Sequence, residues 1–284
     1  MHAVTNTLSA GSSAQSIDRY LRVEGAHLRY RDEGRGPAVL CIHGWTLDLD
    51  MWEPQVAGLA ADCRIVRLDR RGFGLSSGRP SLADDVADVQ ALLRALGLQR
   101  VAIVGMSQGA RVALRLALLA PDHVSCLVLD GPPDVDAASA SSADDDVPLA
   151  RYRALLRTRG IGAVRQEWAR HPLMRLQSDA AAMRALLDRM IARYPGLDLR
   201  EAAMEPDAAA TARAIESIHS PVLVLTGQLD LASRQLAADS LASRLPAAER
   251  ARISAAGHLP NLDNPQAYNS LLRGFLARHA AATC

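Results

Sequence analysis

The chain has 284 residues, enough for one large α/β domain with an insertion or for two small domains. Its 32 basic and 31 acidic residues nearly cancel, so nothing in the charge balance calls for a nucleic-acid or polyanion partner. Every basic residue is arginine, which excludes lysine Schiff-base and lysine P-loop chemistry.

Residues 1–18 read as a flexible polar tail. Residues 1–16 lack the apolar stretch of a signal peptide, and no segment of the chain is apolar for long enough to span a bilayer. A cytoplasmic protein is the expectation. Tyr20 to Val23 and His27 to Tyr30 read as an antiparallel strand pair broken at Glu24-Gly25. Later strands are expected at Val39 to Ile42, Ile65 to Leu68, Val101 to Val104, Leu127 to Leu129, Val222 to Leu225 and Arg252 to Ser254. Helices are expected over Asp84 to Leu96, Gly109 to Ala120, Arg234 to Leu245 and Pro265 to His279. Pro121-Asp122 stops the second of these, because a proline ring cannot continue the hydrogen-bonded turn. Such alternation predicts a mostly parallel eight-stranded sheet with helices on both faces.

The pattern breaks after Asp130-Gly131-Pro132-Pro133. A polar stretch, Ala137 to Asp146, is followed by helical segments over Pro148 to Thr158, Ile161 to Arg170, Asp179 to Tyr194 and Leu199 to Met204. Residues 132–211 therefore read as a helical cap over the carboxyl edge of the sheet, and 19–131 with 212–284 as the core. The cap's many arginines read mainly as solvated helix faces.

Gly105-Met106-Ser107-Gln108-Gly109 joins the strand at Val101 to the helix at Gly109. A serine with glycine two residues to either side, in a strand-to-helix turn, has the pattern of a nucleophile elbow. A serine hydroxyl needs a base, and the base needs a carboxylate to hold its tautomer. Asp230 follows the strand Val222 to Leu225, and His258 lies in the loop after the last strand. Asp130, at another strand end, competes for the acid role. Two backbone N–H groups for an oxyanion are expected from Gln108 and from Trp45 in the turn His43-Gly44-Trp45. His43, Trp45, Met106, Trp168 and Leu259 are the candidate pocket residues.

Cys41, Cys63, Cys126 and Cys284 form no CxxC pair and are expected as free thiols in a reducing compartment. Cys41, inside the run Ala38 to Ile42, reads as a core residue. No metal site and no cofactor are expected; Asp144-Asp145-Asp146 reads as a solvated turn.

His43-Gly44-Trp45, Asp69-Arg70-Arg71-Gly72-Phe73-Gly74-Leu75-Ser76, the elbow, Asp230 and Gly257-His258 together resemble the α/β-hydrolase fold over nearly the whole chain. Within it, the segments His43 to Glu53 and Asp69 to Gly74 resemble bacterial aryl esterases, relatives of the cofactor-free haloperoxidases or perhydrolases. The resemblance implies ester hydrolysis through an acyl-serine, with a side activity towards peroxide left open. A small-molecule ester is the expected substrate, no nucleic-acid or membrane partner is expected, and a homodimer is left open. Gln108-Gly109-Ala110 departs from the Met-Gly-Gly usual in those enzymes. Hydrolysis of carbon–carbon bonds or enol-lactones by the same three residues is the alternative, marked by a cap arginine in the pocket. A ligand receptor on the same fold is the third reading.

Overall fold

A computed structural model describes residues 17–135, 147–200, 211 and 214–280. The polar stretch at Ala137 to Asp146, with its three aspartates, the tail before residue 17, Met204 and Cys284 lie outside the described residues. Eight strands form one sheet: β1 (Arg19–Val23), β2 (Ala26–Glu33), β3 (Ala38–Ile42), β4 (Arg64–Leu68), β5 (Val101–Met106), β6 (Val124–Asp130), β7 (Val222–Gly227) and β8 (Ala248–Ile253). Their order is β1-β2-β4-β3-β5-β6-β7-β8. β2 runs antiparallel to both β1 and β4, and every other neighbouring pair is parallel.

The central strands are apolar runs because both faces are covered. Alternate residues point to opposite faces. Val39, Cys41, Val104, Cys126 and Val128 enter one core, and Leu40, Ile42, Ile103, Leu127 and Leu129 enter the other. The second core is closed by α2 (Leu82–Ala95), α3 (Gln108–Leu119) and α7 (Ala232–Arg244), which contribute Val89, Leu92, Val112, Leu116 and Leu241. The first is closed by α1 (Glu53–Leu59) and α9 (Pro265–His279), through Leu59, Tyr268, Leu272 and Phe275. The short α8 (Pro260–Asp263) precedes α9.

Between β6 and β7 lie α4 (Leu149–Trp168), α5 (Ala181–Arg193) and α6 (Leu197–Arg200). Their buried side chains, Tyr152, Val164, Trp168, Leu187 and Met190, join the first core. α4 is interrupted at Gly160 (φ 76°, ψ 176°), the point where the sequence separates two helical segments. α1 was absent from the sequence pattern, since seven residues containing Pro54 and Gly58 show too little periodicity. β8 begins four residues earlier than expected because it is an edge strand, mixing half-buried residues such as Arg250 with exposed ones such as Glu249 and Arg252 instead of forming an apolar run.

The chain leaves β3 toward β4 on one side and later returns to place β5 on the other. Strand order therefore reverses between β3 and β5. The crevice at their carboxyl ends is where an open α/β sheet binds ligands, and it holds the loops carrying Trp45 and Ser107.

Candidate active site

Ser107 links β5 directly to α3 and sits at φ 51°, ψ −113°, a conformation that L-residues avoid. Its N–H donates to the Asp130 carbonyl at 2.7 Å, and its own carbonyl accepts from the Ala110 N–H at 2.9 Å. The turn closes only because of its flanking glycines. A Cβ at Gly105 would strike the Gly109 carbonyl, and one at Gly109 would strike the carbonyl of Ile42.

Thr46 (φ 63°) and Ala255 (φ 53°) are the other non-glycine residues at positive φ among those described. One lies in the loop after β3 and one just before His258. Strain is thus concentrated in the three loops that meet at the crevice, as expected where the surrounding structure over-determines a site.

His258 and Asp230 are both buried, and His258 Nδ1 lies 2.9 Å from Asp230 Oδ2. Asp230 also accepts from the Leu231 N–H at 2.8 Å, which holds the carboxylate at the start of α7. Asp130 does not make this contact. Its side chain is wholly buried, and burial, with the neighbouring Asp230 carboxylate, pushes its pKa well above the usual carboxylate range against a smaller opposing effect of the Tyr268 hydroxyl. Of the two strand-end aspartates, Asp230 is the histidine's partner.

Ser107 and His258 open onto one pocket, with Trp45, Leu47, Met106, Val147, Trp168, Leu173 and Met174 as its walls. It encloses about 250 Å³ of space, part of it open to solvent. Trp45, Met106 and Trp168 line it as expected. His43 and Leu259 do not. The His43 ring turns away from the crevice, where Nε2 accepts from the Arg70 N–H at 2.9 Å and Nδ1 faces the Gly44 carbonyl at 2.7 Å. Leu259 packs into the first core as the residue that caps the start of α8. Leu47, Val147 and Leu173 were missed, because apolar residues in three separate segments carry no local mark of a shared wall.

The aromatic wall is tied to the core by polar groups. Trp45 Nε1 donates to Asp198 Oδ2 and the Tyr194 hydroxyl to Asp198 Oδ1, both at 2.6 Å. Trp168 Nε1 donates to Thr46 Oγ1, also at 2.6 Å, and its ring meets Trp45 edge-on at 4.7 Å. Arg193 of α5 spans Asp48 and Asp50, at 2.8 and 2.6 Å. The arginines beyond β6 therefore include structural ties: Arg151 pairs with Glu167, and Arg165 donates to the Tyr194 carbonyl.

Cys41 is buried, and desolvation raises its thiol far above the range where a thiolate forms. It is a core residue. Cys63 and Cys126 are buried free thiols as well.

Residues 37–265 match the family described by the alpha/beta hydrolase fold. The chain belongs to the α/β-hydrolase family. It is 30% identical over 240 residues to a putative carbamate hydrolase, RutD, of Caulobacter sp. (strain K31), covering 81% of this chain and 87% of that one. It is 27% identical over 254 residues to the pimeloyl-[acyl-carrier protein] methyl ester esterase of Nitrosomonas europaea, covering 86% and 98%. Among solved structures, a thermophilic esterase from Thermogutta terrifontis superposes with a TM-score of 0.76 at 26% identity, covering 94% of this chain and all of the other. This α/β-hydrolase is accordingly an enzyme of the esterase type. No helix among the described residues is long and apolar enough to cross a membrane.

Proposed function

We propose that this α/β-hydrolase cleaves carboxylic esters with small, uncharged acyl groups through an acyl-Ser107 intermediate. One observation carries the reading: a serine held in a strained elbow and a histidine paired with a buried aspartate open onto the same apolar pocket. His258 takes the Ser107 proton through Nε2, since its Nδ1 is committed to Asp230. Ser107 attacks the ester carbonyl, the alcohol leaves with the proton from His258, and water then releases the acid by the same route.

The negative oxygen of the tetrahedral intermediate is met by the N–H groups of Trp45 and Gln108. Two features support this assignment. Among the described residues no backbone carbonyl accepts from either N–H. Gln108 is also the first residue of α3, so its N–H lies at the positive end of that helix.

The pocket chemistry supports the substrate class. Apart from Ser107 and His258 its described walls are neutral and apolar. An acyl chain ending in a carboxylate would lose its hydration there with no cation to replace it. Hydrolysis of carbon–carbon bonds in anionic keto acids called for an arginine in the pocket, and none is among the described walls.

The test is hydrolysis of nitrophenyl acetate and butyrate together with fluorophosphonate labelling. The expected result is turnover of both esters and a mass shift on the Ser107 peptide, each lost in Ser107→Ala and His258→Ala. Full activity in Ser107→Ala overturns the reading.

A further inference from the structure

Arg70 follows β4 and makes contacts in three directions. Its N–H donates to His43 Nε2 at 2.9 Å. Its guanidinium pairs with Asp85 of α2 at 2.9 Å through Nη1, and through Nη2 it donates to the Gln108 side-chain oxygen. The guanidinium also lies over the Phe73 ring, 4.6 Å from its centre, and that ring meets the His43 imidazole edge-on at 5.6 Å. Arg70 is only 2% exposed, so this arrangement is enclosed in protein and screened little by solvent.

The chemistry of these contacts sets their direction. A backbone N–H can only donate, so His43 Nε2 is an acceptor and the ring hydrogen is on Nδ1. That hydrogen is donated to the Gly44 carbonyl, 2.7 Å away. The Gly44–Trp45 peptide is trans, as are all those described, and in a trans peptide the C=O and the following N–H point in opposite directions. Fixing the Gly44 carbonyl toward His43 therefore turns the Trp45 N–H to the opposite side of that peptide. Burial and the Arg70 charge hold the His43 imidazole well below its usual basicity, which keeps this neutral tautomer in place.

We propose that Arg70 is a positioning residue that aligns both oxyanion donors, the Trp45 N–H through His43 and Gly44 and the Gln108 N–H through the Gln108 side chain. The proposal rests on the oxyanion role given above to those two N–H groups. It explains the glutamine in the elbow as an acceptor for a buried guanidinium already anchored on Asp85, with no direct contact to substrate.

The variants Gln108→Met, Arg70→Met and their combination are compared by steady-state hydrolysis of nitrophenyl acetate and by amide 15N–1H spectra of the unliganded protein. Misaligned donors weaken binding of the transition state and spare the ground state. Gln108→Met is expected to lower kcat about tenfold, with KM within twofold. Arg70→Met is expected to lower kcat at least as far and to move the amide signals of both Trp45 and Gln108. The double variant should lose no more than Arg70→Met, since the two side chains act as one unit.

Arg70→Met strands the buried Asp85 carboxylate. If it fails to fold, Gln108→Met, which leaves the Arg70–Asp85 pair whole, decides alone by its kcat. An unchanged kcat in Gln108→Met, a loss that falls on KM, or wild-type positions for both amides in Arg70→Met overturns the proposal. If the wild type turns over no ester and takes no fluorophosphonate, the esterase reading fails instead. The amide shifts of unliganded Arg70→Met then decide whether Arg70 holds the two N–H groups.

Discussion

Replacing Gly131 by alanine tests whether the position of His258 is set from beneath by the end of β6. A Cβ on Gly131 would lie 2.8 Å from His258 Cε1 and 3.0 Å from Nδ1. Carbon atoms settle at roughly 3.5 Å or more, so one partner must move by about 0.7 Å. Neither is free to do so cheaply. The Gly131 N–H donates to the Leu225 carbonyl at 2.9 Å, and the imidazole is held at 2.9 Å by Asp230. A misplacement of about 1 Å at a reacting group costs on the order of 100-fold in rate, so kcat for nitrophenyl acetate should fall by roughly 10- to 50-fold. Gly131 also sits at φ 52°, and a left-handed conformation costs an L-residue about 1–2 kcal/mol. Gly97→Ala separates the two effects. It has the same backbone strain, at φ 67°, with nothing within 4 Å of the added carbon. Both variants should lose a few degrees of Tm, roughly 2–4 °C per kcal/mol, and only Gly131→Ala should lose kcat. Equal kcat in the two variants refutes the steric argument.

Asp230→Asn presents an amide to His258 Nδ1, favours the wrong tautomer and should lower kcat by about 10³- to 10⁴-fold with little change in Tm. Retention of a tenth of the activity would return the acid role to Asp130. Asp198→Ala removes the acceptor of both the Trp45 indole and the Tyr194 hydroxyl. At about 1–3 kcal/mol for a buried group left unpaired, calorimetry should record a loss of several degrees in Tm. KM for nitrophenyl butyrate should rise as the Trp45 wall loosens, and an unchanged KM would mean that the wall is held by packing alone. His43 gives a pH signature. Its basicity in the fold is pushed well below the usual 6.5, mainly by burial and then by Arg70, so below pH 6.5 the unfolded chain takes up a proton that the fold does not. Stability from this group is complete above pH 6.5 and is lost as pH falls towards its folded-state value, at up to about 1.4 kcal/mol per unit. Urea denaturation at pH 5 and 7.5 should show this slope in the wild type and a shallower one in His43→Gln. Identical slopes would exclude a neutral buried His43.

What the amino-acid pattern revealed of the site follows from how local each constraint is. The elbow is legible because strand, turn and helix must pack within five residues, which forces glycine at 105 and 109. Asp230 is legible because it follows an apolar run, and His258 because it lies in the Gly-His-Leu-Pro loop after the last strand. The choice of Asp230 over Asp130 had a slimmer basis, since both end a strand and only the Gly131-Pro132-Pro133 sequel to Asp130, which leads into the insertion, told against it; in the fold it is Asp230 that meets Nδ1. His43 as a pocket residue failed for a related reason. Its partner is a backbone N–H 27 positions away, and no residue type advertises that. The pocket wall also drew on Leu47, Val147 and Leu173, three apolar side chains that any core could have used. The helix after β3 escaped notice because its stability comes from Leu59 and Gln55 packing onto distant segments, not from a periodic face of its own.

Polar and apolar parts of this site are separated by layer, and the separation bears on selectivity. Charge is abundant in the loops after β3 and β4 and on α2 and α5, none of it lining the pocket: Arg70 with Asp85, Arg71 with Asp88 at 2.6 Å, and Arg193 with Asp48 and Asp50. Each guanidinium there is already committed to a carboxylate of the protein. Recruiting one to a substrate anion would break a buried pair, which costs several kcal/mol by leaving an uncompensated charge behind. The same pairs fix the loops after β3 and β4 and bind α5 to the core, so the rigidity they supply and the neutrality of the pocket have one origin. Arg70, Arg71 and Arg193 are thus consumed in holding these segments in place, and the pocket itself stays apolar.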